Sequence, residues 1–251
     1  MSSIFLDSSL PHVDVGSVHR WLYEVVGILH RDLSLNNIMY RRLEGKVYGV
    51  LTDFDLSSWT RTLTKDCAKT SQQRTGTPPY MAHGLLNGTD PLHMYRHDLE
   101  SIFYIMVMFS TRYEIRAPED GAEGGLQMRR PLGELPFQEW FDQPSPKQLA
   151  SSKRDLLTRP SIKLNLSPAF KDFGNWLQGL RRAFHAGFNS KESYEMAVSD
   201  EAPRMKLRST PKIPKFDDET LGGHISYSTF IDPARELGGK LRDLTVRYIP
   251  S

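Results

Sequence analysis

The chain of 251 residues contains a single cysteine, Cys67, so no internal disulfide can form, as expected for a reducing, intracellular setting. Its longest apolar run, Ile102 to Phe109, is far too short to cross a bilayer. The opening Met1-Ser2-Ser3-Ile4-Phe5-Leu6-Asp7 has neither a basic segment nor a long apolar stretch, so no signal peptide is expected. Neither sign of charge is in excess. A net charge of +2 argues against nucleic acid or an anionic membrane as partner. Internal repeats, heptad arrays and Cys/His clusters of metal-binding spacing are also missing. These absences leave an intracellular protein, with cytoplasm and nucleus not distinguished.

What is present is an ordinary globular composition, 39% hydrophobic and 25% charged. The length suffices for one large domain or two small ones with a sizeable core. Residues 1–14 are short, polar and interrupted by Pro11, and read as a lead-in. From Val15, the residues Val18, Trp21, Leu22, Val25, Val26 and Leu29 recur at steps of three and four, predicting a helix with one buried face. Asn37–Tyr40 and Lys46–Thr52 read as two strands of a hairpin, with Glu44-Gly45 at the turn. Leu56–Thr75 has no period and is expected to be a mobile loop. Asp98 is placed to cap the most hydrophobic segment, a core helix. Arg116–Gly133 reads as a surface connection, and Phe137, Trp140 and Phe141 as a packed aromatic group. Lys147–Leu157 is expected to be helical, stopped by Pro160. After Ser167-Pro168 comes a helix burying Phe170, Phe173, Trp176, Leu177, Leu180 and Phe184. No regular structure is expected over 189–220. A last helix is expected over 230–244, with Leu237, Leu241 and Leu244 on one face.

The stretch with chemical content is His30-Arg31-Asp32-Leu33-Ser34-Leu35-Asn36-Asn37, followed by Asp53-Phe54-Asp55 after the second strand. It reads either as a polar turn or as a site on which Asp32, Asn37 and Asp53 converge. Such a site would hold a metal ion and take a proton from a hydroxyl, the combination phosphoryl transfer requires.

His30-Arg31-Asp32-Leu33-Ser34-Leu35-Asn36-Asn37 resembles the catalytic loop of eukaryotic protein kinases. Asp53-Phe54-Asp55 stands where that family has Asp-Phe-Gly. Gly76-Thr77-Pro78-Pro79-Tyr80-Met81-Ala82 is similar to the end of a kinase activation segment. Arg96-His97-Asp98-Leu99-Glu100-Ser101 is similar to the start of the long helix of the large lobe. Within the superfamily the chain looks most like the fungal-type protein kinases, with which it shares Asp-Leu-Glu-Ser and a Trp-rich segment downstream.

The resemblance implies a mainly α fold with a small β-hairpin, a protein-kinase-like large lobe lacking the small lobe. Its implied organisation is a lead-in 1–14, the lobe 15–188, a flexible insertion 189–225 and a C-terminal helix in 226–251. It implies ATP and Mg²⁺ as cofactors and a protein hydroxyl as acceptor, Ser/Thr favoured over Tyr. Asp32 would be the catalytic base, and Asn37 and Asp53 would bind magnesium, with Asp55 a further candidate ligand. Arg31 would pair with a phosphate on Thr60, Thr62, Thr64, Thr70, Ser71 or Thr75. Thr77 would hydrogen-bond near Asp32, while His30, Phe54 and Asp98 would support the loop.

The chain also departs from the family pattern. No lysine precedes Lys46, and no Gly-x-Gly-x-x-Gly precedes the loop, so the equipment that grips the ATP phosphates is not in view. Ser34 replaces a lysine that steadies the transferring phosphate. Asp55 replaces a hinge glycine, and His83-Gly84 replaces Pro-Glu, removing a buried ion pair. The expected activity is therefore compromised protein-kinase activity. The alternatives are a pseudokinase or interaction module on the same scaffold, and a small-molecule phosphotransferase. A partner covering the small-lobe-facing surface is the interaction expected.

Overall fold

The computed structural model describes residues 5–6, 11–43, 46–60, 76–90, 92–116, 126–131, 133–201, 213–238 and 246–248. Within them the protein is mostly helical, with small sheets. Strand β1 (Phe5–Leu6) precedes helix α1 (Pro11–Trp21). The helix starts four residues earlier than expected because Pro11 occupies its first turn, where a missing N–H costs nothing. Its end widens into a π-turn over Leu22–Val26, closed by Gly27 at φ +80° with its N–H on the Leu22 carbonyl. The anticipated apolar stripe is therefore only half correct. Val15 and His19 take the buried row, whereas Trp21 and Val25 are 55% and 69% exposed.

Strand β2 (Ile28–Leu29) leads into the polar loop and a 3₁₀ turn, Leu35–Asn37. Strands β3 (Ile38–Leu43) and β4 (Lys46–Leu51) form the expected antiparallel hairpin, with Ile38 opposite Leu51 and Leu43 opposite Lys46. The turn residues Glu44 and Gly45 lie outside the described residues. Strand β5 (Ser58–Trp59) turns back to pair with β2, so the stretch from Leu56 is partly strand. Residues 61–75, which include five of the six expected phosphoacceptors, lie outside the described residues.

A short helix α2 (His83–Asn87) precedes α3 (Tyr95–Arg112), whose residues are all buried. A helix buried around its whole circumference matches the all-round hydrophobicity of Ile102–Phe109. It packs against α1 on one side and α5 (Phe173–Glu201) on another. Strands β6 (Glu114–Arg116) and β7 (Leu126–Arg129) pair antiparallel, so the stretch from Arg116 to Gly133, expected to be a surface connection, is partly strand. With β8 (Val246–Tyr248) they make a sheet in the order β1-β8-β7-β6, in which β7 and β8 are parallel. Lead-in and C-terminus thus meet in one sheet, a pairing no local pattern announces.

Helix α4 (Pro146–Thr158) is capped by Ser145, which accepts the Gln148 N–H while the Gln148 side chain reaches back. The α5 aromatics are buried as expected, Phe184 completely. Helix α5 continues to Glu201, well into the span expected to have no regular structure. A weak apolar pattern past Phe188 hid it, because those later turns are mostly exposed. Helix α6 (Tyr227–Gly238) buries Tyr227, Phe230, Ile231 and Ala234 against α1 and α5. Of the stripe expected there, Leu241 and Leu244 lie outside the described residues.

Candidate active site

The polar loop is held from three directions by bonds its residue types make possible. His30 is buried, and its Nε2 lies 3.0 Å from the Thr52 carbonyl, so Nε2 carries the proton. Nδ1 then accepts the Asp32 N–H at 3.4 Å. Burial pushes the imidazole down from its ordinary range, against the attraction of Asp98, so it stays neutral at physiological pH. Its ring packs 4.8 Å from that of Phe54. His30 and Phe54 therefore tie the loop to the end of β4 from behind.

Asp98 was expected to cap α3. Instead Met94 stands at the cap position, and the Asp98 carboxylate, fully buried in the first turn, is turned toward the loop. It accepts the Arg31 N–H at 3.1 Å, His19 Nε2 at 2.8 Å and His93 Nε2 at 2.7 Å. His19 Nδ1 meets the Tyr227 hydroxyl at 2.9 Å. Burial alone would raise the Asp98 carboxyl, but the two imidazoles hold it well below its usual range. Burial beside this charge raises the Tyr227 phenol. Arg31 sits at φ +72° with its N–H thus engaged, a conformation that costs about 1–3 kcal/mol and is retained where surroundings over-determine it. Burial lowers its guanidinium while Asp98 opposes.

Asp32, at the loop's centre, has one carboxylate oxygen fully committed. Oδ1 accepts both the Thr77 N–H at 2.8 Å and the Thr77 hydroxyl at 2.9 Å. The other oxygen, Oδ2, has among the described residues only the Asn37 Nδ2 at 3.4 Å. Asn37 donates more closely, at 2.9 Å, to the Asp32 carbonyl. Its own carbonyl takes Thr52 N–H at 2.9 Å and Thr52 Oγ1 at 3.2 Å. Asp53 is the next residue, at φ +63°, so the hairpin register brings Asn37 and Asp53 to the same end of β3 and β4. Asp53 and Asp55 are exposed.

The donor set fits a hard divalent cation. With Nδ2 turned to Asp32, the Asn37 amide has Oδ1 left as its ligand atom, and Asp53 adds an exposed carboxylate nearby in the fold. Among the described residues no group of three or more His, Cys, Asp or Glu is arranged around a metal position. Ser34 is 2% exposed and accepts the Asn37 N–H through its carbonyl at 3.1 Å, so the position supplies no cation to the site.

The segment after Thr77 is anchored by residues the sequence reading missed. Gly84 was expected to mark a lost ion pair. A Cβ added there would lie 1.9 Å from Asp90 Oδ2, so the Asp90 carboxylate fills the space beside it. Asp90 binds Arg96 at 3.0 Å, His97 at 3.1 Å and Lys191 at 3.0 Å. A buried charge cluster thus stands beside Gly84 with the carboxylate delivered from six residues downstream. Burial opposes the charge on Asp90, but His97 and Arg96 hold it far below the usual carboxylate range. Next to it, buried Glu100 accepts His83 N–H at 2.8 Å, His83 Nδ1 at 3.0 Å and the Tyr104 hydroxyl at 2.6 Å. The separations run from 4 residues for Tyr104–Glu100 to 101 for Asp90–Lys191, and although Arg96, His97 and Glu100 stand in a named motif, nothing local pairs them with Asp90, Lys191 or His83.

Among the described residues no helix is long and apolar enough to cross a membrane. No curated protein matches the chain. The family model described as fungal protein kinase does match, over residues 13–110. That span holds α1 from Val13 on, the polar loop with Asp32 and Asn37, the hairpin to Asp53, Thr77, and α3 as far as Ser110. Over residues 13–110, the part that carries Asp32, Asn37, Asp53 and Thr77, the chain is similar to fungal protein kinases.

Proposed function

We propose that this protein transfers the γ-phosphoryl group of ATP to a protein hydroxyl, with serine or threonine favoured. The observation that carries the reading is the pair of hydrogen bonds that the Thr77 N–H and hydroxyl donate to Asp32 Oδ1. It orients the carboxylate so that Oδ2, held only loosely by Asn37, is the oxygen that accepts the proton of an incoming hydroxyl. Asn37 Oδ1 and Asp53 would hold magnesium, which would supply positive charge against the phosphate oxygens of ATP. The chain's own residues orient the acceptor, hold Asp32 and keep the loop in its φ-positive turn through Asp98.

A second reading, a pseudokinase or interaction module, is favoured by Ser34. A buried serine replaces a cation that would steady charge developing in transfer. Exposed Trp21, Val25 and Met39 lie on or near the π-turn and the hairpin and suit packing against a further domain. A phosphotransfer assay with labelled ATP and a mixed protein acceptor, read by mass spectrometry, separates the two. Under the enzyme reading Asp32→Ala lowers the rate by at least about 100-fold. Equal incorporation by the variant sinks the role given to Asp32.

A further inference from the structure

Lys153, on α4, is a fully buried lysine with no salt bridge to a carboxylate among the described residues. Its Nζ donates to the Pro79 carbonyl at 2.8 Å and the Met81 carbonyl at 2.6 Å. The same atom lies 4.0 Å from the centre of the Tyr104 ring and 4.9 Å from that of Trp140. Both rings are themselves fixed, Tyr104 by its hydroxyl on Glu100 and Trp140 by Nε1 on Ser152 Oγ at 2.8 Å. Burial works against the ammonium, and the Glu100 charge supports it. Burying a lysine head among carbonyls and ring faces is costly, so its geometry is the gain to be explained.

The two carbonyls belong to the turn that presents Thr77 to Asp32. Tyr80 and Met81 N–H groups close that turn on the Thr77 carbonyl at 2.9 and 3.1 Å. Pro78 and Pro79 have no N–H to give. The turn therefore depends on a donor from elsewhere for its outward carbonyls, and α4 supplies it 72 and 74 residues away.

We propose that Lys153 is the positioning residue of the acceptor side: by gripping the Pro79 and Met81 carbonyls it sets the turn that holds Thr77 on Asp32. The proposal rests on the phosphotransfer reading for its meaning, while the mechanical coupling stands apart from it. Because both contacts are to main chain, the grip fixes the path of the segment without reading its side chains. An acceptor protein then meets a preformed rim, Pro78 to Tyr80, whose distance from Asp32 is set by α4.

The test measures amide hydrogen exchange across the full chain in wild type, Lys153→Met and Lys153→Arg. Lys153→Met keeps an unbranched apolar stem and removes all donors. The coupling requires exchange at Thr77, Tyr80 and Met81 to speed by about tenfold or more, with α5 and α6 unchanged and Lys153→Arg restoring most protection. Where a phosphorylation rate is measurable, KM for the acceptor rises while the affinity for Mg·ATP holds. Unchanged exchange at those three amides in a folded Lys153→Met protein overturns the proposal. So does acceleration spread evenly over the chain, which would mean simple destabilisation. If Lys153→Met does not fold, Lys153→Gln is compared with Lys153→Arg by the same readout. Confined acceleration in Lys153→Met, with a wild-type protein that phosphorylates nothing, would uphold the coupling and refute the phosphotransfer reading, so the two fail separately.

Discussion

Gly84→Ala offers a sharp check on the buried charge cluster beside the Thr77 segment. An ideal Cβ at that position would come within 1.9 Å of Asp90 Oδ2 and 2.8 Å of its Cγ, so the carboxylate must leave. The Asp90 side chain is 6% exposed and Arg96 1%, so what is broken is a buried pair, with Lys191, a quarter exposed, contributing less. Breaking a buried pair typically costs about 3–5 kcal/mol, and replacing a helical glycine by alanine returns about 1 kcal/mol. The net expectation is a loss of roughly 2–4 kcal/mol, which for a chain of this size lowers Tm by about 5–15 °C. Urea denaturation at pH 7 and a thermal scan would measure it. In an Asp90→Ala background the same Gly84→Ala change should be near neutral, because nothing remains to be displaced. The pH dependence adds a second handle. Asp90 is depressed in the fold, so its contribution is complete above its unfolded pKa of about 4 and fades as pH falls below that. The gap between wild type and Gly84→Ala should narrow in the same window. A Gly84→Ala protein within about 0.5 kcal/mol of wild type at pH 7 would refute the argument.

Other expectations follow from single observations. Glu100 is raised by burial but pulled to about 2 overall by His83, so it stabilises the fold at neutral pH and loses that contribution as pH falls from about 4.5 through about 2. Glu100→Gln should flatten that part of the acid-unfolding curve, and an unaltered curve would count against the His83 pairing. Tyr227→Phe removes the hydroxyl on His19 and should cost about 1–2 kcal/mol in urea titrations, with faster exchange at the Arg31 amide. An undisturbed Arg31 amide would mean that α6 does not brace the loop. Val25→Ala, at 69% exposure, should change stability by less than about 0.5 kcal/mol, whereas buried Leu29→Ala should cost about 2–5 kcal/mol. Similar losses for the two would restore the single-face helix that the apolar spacing suggested.

Local patterns carried far where the physics is local. Side-chain alternation on either side of a Gly-containing dipeptide was enough to expect the β3–β4 hairpin, though not its register or the extension of β3 to Leu43. The α5 aromatics and the α3 core helix were legible for the same reason. Patterns failed where a helix departs from 3.6 residues per turn, as at Leu22–Val26, which left Trp21 and Val25 outside. They also failed where a helix is mostly exposed and has little apolar signal, as in α5 beyond Phe188.

The order of Asp32, Asn37, Asp53 and Thr77, and the turns and strands that bring three of them together, was determined by the sequence alone. Their spacing suits one loop and one hairpin, whose conformations are set by neighbours in the chain. What holds that site was decided only in three dimensions. Asp98 takes His19 from α1 and, through it, Tyr227 from α6; Asp90 stands in the space beside Gly84; Lys153 reaches across from α4 to the carbonyls behind Thr77. Buried polar groups must find partners wherever the packed fold supplies them, and a carboxylate or a lysine head is satisfied equally by any element that arrives within about 3 Å. No pattern within a single segment encodes which element that will be.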